Sequence, residues 1–208
     1  MLAPEELLCV SQWLSPAFPV GGFAYSQGLE AGVSSGDVCP DTLEDWVDGV
    51  LRYGAGRMDA VLLCAAARGE DVSELAEALA VSSGRRRETL EMGAALGRCL
   101  RGSFDMEMPD GAYPVVFGQA VRARGLPLEP VVVLFLQSLT TLLVHAGQRL
   151  MPLGQEKAQR IIAELGPVCV SVAGEALASG IDEIGTATFG ADLASLRQDS
   201  LEVRIFRS

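Results

Sequence analysis

Apolar residues recur with a helical period along most of the chain. Over residues 41–53, Leu43, Trp46, Val47, Val50 and Leu51 fall at i, i+3, i+4, i+7 and i+8, a single apolar face. Asp41 with Glu44 opens this segment in the manner of a capping box. Ala3-Pro4 ahead of Glu5 and Glu6 marks another start, with proline in the first turn. The same pattern predicts helices over 27–34, 58–68, 73–81, 85–100, 114–124, 155–165 and 168–178. Breaks are expected at Gly69, Gly102, Gly125 with Pro127, and Gly166-Pro167. No run alternates as a series of strands would, and no hairpin signature or internal repeat is present. The predicted fold is all-α, a compact single domain of about eight to ten short helices.

Three stretches depart from that pattern. Residues 130–148 carry no charge and are long enough to span a bilayer. Yet Gln137, Thr141, His145 and Gln148 fall at i, i+4, i+8 and i+11, one polar stripe on a helix. The segment therefore reads as a central buried helix with a polar seam whose members satisfy one another, in preference to a membrane span or a wet passage. From Gly180 the helical pattern weakens, and 201–207 alternates apolar and polar residues. The division expected is a helical domain over 1–200 and a docking tail over 201–208. With no sheet to join, and with arginine and aromatic anchors at Arg204, Phe206 and Arg207, the tail is expected to await a partner more than to dock on its own domain. The third stretch is Ser15-Pro16-Ala17-Phe18-Pro19-Val20-Gly21-Gly22-Phe23-Ala24-Tyr25-Ser26-Gln27-Gly28-Leu29-Glu30, whose prolines, glycines and aromatics specify a shape where an ordinary connection would be short and polar.

Composition narrows the functions. With a net charge of −11 at pH 7, the 208-residue chain lacks the basic face that nucleic acid requires. Five dispersed cysteines read as reduced thiols of a cytoplasmic protein, and Glu5 and Glu6 stand where a signal peptide would be basic. Neither a phosphate-binding loop nor a zinc-type cluster of Cys and His is present, so no cofactor and no metal site are expected. Gly54-Ala55-Gly56 lacks the third glycine of a dinucleotide fingerprint. Ser26 and His145 are the pair on which a small cytosolic hydrolase would rest, but Ser26 lacks the G-x-S-x-G elbow. Arg85-Arg86-Arg87 is either a solvated helix start or a contact for an acidic partner, while Gly93 and Gly97 permit close helix packing.

The stretch from Ser15 to Glu30 resembles the signature of the UreF family of urease accessory proteins. The likeness continues through Arg87-Glu88-Thr89 with Gly97-Arg98, then Pro114-Val115-Val116-Phe117-Gly118. Leu150 with Pro152-Leu153-Gly154-Gln155, and the terminal Arg204-Ile205-Phe206-Arg207-Ser208, complete it. The family usually carries His where this chain has Tyr113, and a Met-Arg-His-Glu-like stretch where it has Leu196-Arg197-Gln198-Asp199. The resemblance implies an all-α, dimeric scaffold without catalytic activity. It implies a UreD- or UreH-type partner, with which the chain recruits the nickel-carrying GTPase UreG to apo-urease for nickel insertion. By position, the residues implied in partner binding are Gly21, Gly22, Phe23 and Tyr25 in the loop, Arg149 and Gln155, and Arg204, Phe206 and Arg207 in the tail.

Overall fold

The computed structural model describes residues 2–207, so Ser208 of the terminal block lies outside the described residues. The described chain is all-α, with no strand among these residues. In order come α1 (Pro4–Trp13), α2 (Leu29–Ser34), α3 (Leu43–Tyr53), α4 (Ala55–Arg68), α5 (Ser73–Ala78) and α6 (Ser83–Phe104). They are followed by α7 (Tyr113–Ala123), α8 (Leu128–Leu150), α9 (Gln155–Glu164), α10 (Gly166–Ala178) and α11 (Phe189–Gln198). Two 3-10 turns, Gly22–Ala24 and Ile181–Glu183, complete the described fold.

The centre is α4, buried from Met58 through Ala66 and packed against α3, α7, α8 and α10. Its crossing with α7 is close because Gly118 has no side chain: a Cβ there would stand 2.3 Å from the Leu63 carbonyl oxygen. Gly93 serves the same end, since a Cβ would meet the Gly111 carbonyl oxygen at 1.9 Å. Its spacing with Gly97 thus reflects packing within the chain. At one end Trp13 of α1 sits edge-on to Phe104 and Phe117, and Tyr113 stacks on Phe135 at 5.7 Å.

Several expectations are corrected. The uncharged run 130–148 lies within α8, which is not the buried centre. One side of α8 packs on α3, α4, α9 and α10, and the other stays partly exposed. Gly102 lies inside α6, on an exposed turn where glycine costs only about 1 kcal/mol. The helix ends instead at Asp105, in the left-handed region with φ 52°. Gly166-Pro167 starts α10, where proline at the first turn loses no hydrogen bond. Beyond Gly180 the helix α11 was not anticipated. Its buried residues are Ala194, Ser195 and Gln198, while Phe189, Leu193 and Leu196 are exposed. Small and polar side chains face inward there, and that inversion hides the helix from a reading based on periodicity. The described tail is not free: it lies back on α2 and the loop that precedes it.

Candidate functional site

The loop between α1 and α2 is shaped by backbone geometry that few residues accept. Gly21 has φ +78°, turning the chain into the 3-10 turn at Gly22. Gly22 lies against α8, where an added Cβ would come within 2.7 Å of Leu142 Cδ1. Gln27, at φ 53°, and Gly28, at φ 85°, bring the chain out of the loop. A Cβ on Gly28 would stand 2.5 Å from the Ser195 amide nitrogen, so α11 presses on the loop's exit.

The tail is held by a buried carboxylate. Glu30, in the first turn of α2, accepts the Ile205 N–H at 2.6 Å and the Phe206 N–H at 3.1 Å. It also accepts the Gln198 side-chain N–H at 2.7 Å, while the Gln198 carbonyl accepts the Ala31 N–H at 3.0 Å. Hydrogen bonds to a charged group contribute about 1.5–3 kcal/mol each, so this cluster is strong enough to order the tail. Phe206 is 3% exposed, with the Arg149 guanidinium 4.2 Å over its ring. Arg149 also donates to the Phe23 carbonyl at 2.6 Å, and the Arg207 N–H donates to the Ala24 carbonyl at 2.7 Å.

One face of α6 supports both segments. Glu91 accepts the Tyr25 hydroxyl at 2.5 Å and pairs with Arg207 at 2.9 Å. Burial, and then the hydrogen bond to Glu91, push the Tyr25 phenol well above its ordinary value. Deeper on the same helix, Arg85 donates to Asp59 at 2.5 Å and to Glu88 at 3.0 Å, and Gln27 donates to Glu88 at 2.9 Å. Burial pushes the Asp59 carboxyl up, against the opposing pull of Arg85. The three-arginine cluster therefore divides. Arg85 is buried, Arg86 pairs with Glu77, and Arg87 is exposed.

Above this network opens a cleft of about 410 Å³, lined by α1, the loop, α6 and α8. Gln137, Thr141 and His145 line it, so these members of the polar stripe face a cleft and not the core, and the Thr141 hydroxyl is met within its own helix by the Gln137 carbonyl at 2.9 Å. Ser26 is 0% exposed, and its hydroxyl accepts the Glu30 N–H at 3.4 Å at the start of α2. It does not line the cleft as His145 does, so a hydrolase built on this pair has no nucleophile open to substrate. Tyr113 also lines the cleft, its phenol pushed up by burial and its N–H donated to Thr89 at 3.1 Å. Among the described residues, no group of three or more His, Cys, Asp or Glu is placed to hold a metal ion.

Of the candidate residues, Phe23, Tyr25, Arg149, Phe206 and Arg207 come together in one patch, with Gly21 and Gly22 shaping its loop. Arg204 lies beside it, paired with Asp199 at 3.0 Å. Gln155 takes no part in these contacts and opens α9, exposed. Sequence reasoning missed Glu30, Glu91 and Gln198 as site residues. Glu30 stood inside the quoted signature, and an acidic residue amid Leu29, Ala31 and Gly32 is a signal of buried pairing. Glu91 and Gln198 gave no local sign.

A family model described as UreF matches residues 39–166. A urease accessory protein UreF from Cereibacter sphaeroides is 43% identical over 206 residues, covering 97% of this chain and 98% of that protein. Proteins of the same name from Rhodopseudomonas palustris and Jannaschia sp. are 43% and 44% identical, covering 94% and 97% of this chain and 90% and 94% of their own lengths. The family model stops short of both the loop and the tail, but these relatives span nearly the whole chain. A chain with this all-α fold, matched over most of its length, belongs to the UreF family of urease accessory proteins.

Proposed function

We propose that this chain is a non-catalytic scaffold of urease maturation. Its loop–tail patch receives a UreD- or UreH-type accessory protein, and the pair recruits a nickel-carrying GTPase of the UreG type to apo-urease and supports nickel insertion. The observation that carries this reading is the convergence of the exposed Phe23, Arg149 and Arg207 over the buried Tyr25 and Phe206. Phe23 and Ile205 stay 42% and 57% exposed there although the backbone around them is anchored. Ordered aromatic and arginine anchors cost little entropy on binding and suit a docking face. Nickel is cargo in this scheme, and the chain needs no resident cofactor. The work is done in the cytoplasm as a homodimer. The cleft between α1 and α8 suits the second copy, because Leu7 on its rim and Leu8 beside it present apolar surface.

The test is urease activity in nickel-supplied cells that carry every urease component except this one. The intact chain should restore activity, and Arg204→Ala should restore much less at equal soluble expression. Full activity with no form of this chain present would sink the maturation role. Full activity from the Arg204→Ala chain would move the essential contact away from Arg204.

A further inference from the structure

We infer that Glu91 is a positioning residue that ties the Gly-Gly loop to the tail, so that the two form one recognition surface and neither keeps its shape without the other. The inference rests on the proposed role of that surface in partner binding. The Glu91 carboxylate takes the Tyr25 hydroxyl on Oε2 at 2.5 Å, Arg207 Nη1 on the same oxygen at 2.9 Å, and Arg207 Nη2 on Oε1 at 3.1 Å. One side chain of α6 thus engages a loop residue and, bidentately, a tail residue. Main-chain contact follows the same line, since the Arg207 N–H donates to the Ala24 carbonyl and the Arg207 guanidinium lies 5.9 Å from the Tyr25 ring centre. On the opposite side Arg149 reaches the Phe23 carbonyl and covers Phe206, so loop and tail are bracketed between α6 and α8.

A lone ion pair as exposed as Arg207 and Glu91 would count for little. Here the carboxylate also accepts from a phenol whose residue is 3% exposed, and removing it strands that hydroxyl. The hydrogen bonds and ion pair of Glu91 given above run to the loop and the tail and not to the central helix α4, so its loss should loosen the surface without unfolding the chain.

Amide hydrogen exchange in the free, full-length chain tests the tie without any partner. The Tyr25 N–H, which donates to the Gly22 carbonyl, reports the loop, and the Arg207 N–H reports the tail. Glu91→Ala should speed exchange at both sites by about tenfold, with the α4 amides gaining no more than that factor and the thermal midpoint falling by only a few degrees. Glu91→Gln, which keeps an acceptor, should move both sites together to an intermediate rate. Arg207→Gln should loosen the Tyr25 amide, and Tyr25→Phe the Arg207 amide. If Arg207→Gln speeds the tail while the Tyr25 amide stays as in the parent chain, the tie does not exist. In cells that lack only this urease component, Tyr25→Phe with Arg207→Gln should activate no worse than the weaker single variant, whereas additive losses would mean two independent contacts. Coupled exchange with normal urease activation in every variant would leave the tie standing and remove the recognition role instead.

Discussion

Two charge networks share one face of α6 and differ in almost everything else. The inner one joins Arg85, Asp59 and Glu88 at the floor of the cleft, with all three side chains at least nine-tenths buried. The outer one joins Glu91, Arg207 and Tyr25 at the surface, with Arg207 and Glu91 well exposed. Their separations are similar, so distance does not distinguish them. Burial does: the inner charges have lost water and depend on one another, while the outer ones keep solvent as an alternative partner. The inner network therefore belongs to folding, and the outer one to the fine shape of a surface that can be remodelled at little cost.

The largest effect expected from breaking this contrast lies inside. Asp59→Ala leaves Arg85 with one carboxylate partner fewer in a buried site, and should cost about 3–5 kcal/mol, read by denaturant unfolding. A loss under about 1 kcal/mol would put the inner network on a par with the outer one and erase the distinction. Glu30 stands between the two, buried like Asp59 but holding the tail. Glu30→Ala should cost at least about 2 kcal/mol and free the Ile205 and Phe206 amides to exchange. Those amides keeping their protection would show that Phe206 packing alone docks the tail. Arg207→Gln should lower global stability by less than about 1 kcal/mol, visible only as faster exchange near the chain end. A larger drop in the unfolding midpoint would make the outer network structural.

The smallest effect is a pH dependence at the tail's edge. The Ser83 hydroxyl, against some burial and aided by Arg204, holds the Asp199 carboxyl below the ordinary aspartate value. A depressed acid contributes stability that is complete above the unfolded-state value and is lost as pH falls through the folded one. Parent and Asp199→Asn chains should thus differ slightly in stability near neutrality and converge in acid. Asp59 carries the opposite sign. With its folded value raised by burial, it favours the folded state less as pH climbs above the ordinary aspartate range. Convergence of the Asp199 pair on raising pH, instead of lowering it, would reverse the assignment.

Legibility in the sequence followed how local each interaction is. Helix α3 was readable because its apolar face is spelled out by neighbours in sequence. The loop was readable because Gly21, Gly22 and Gly28 are demanded by its own backbone and close packing. Helix α11 was not, because its inward residues are small and polar and meet α2 across the chain. The departure at Gln198 proved informative only in three dimensions. The amide uses its donor on Glu30 and its acceptor on Ala31, filling both hydrogen-bonding roles at once.

By itself the sequence determined the all-α class, most helix positions and the family, because periodicity, capping and turn chemistry act over a few residues. The tertiary structure decided what depends on encounters between distant segments. It placed α4, not α8, at the centre, turned the polar stripe of α8 toward a cleft, and buried Ser26. It also carried the tail across the fold to Glu30, 175 positions earlier than Ile205. No local pattern encodes that last contact: a carboxylate specifies only that its charge must be met, and the packing of the whole chain selects the donors that meet it.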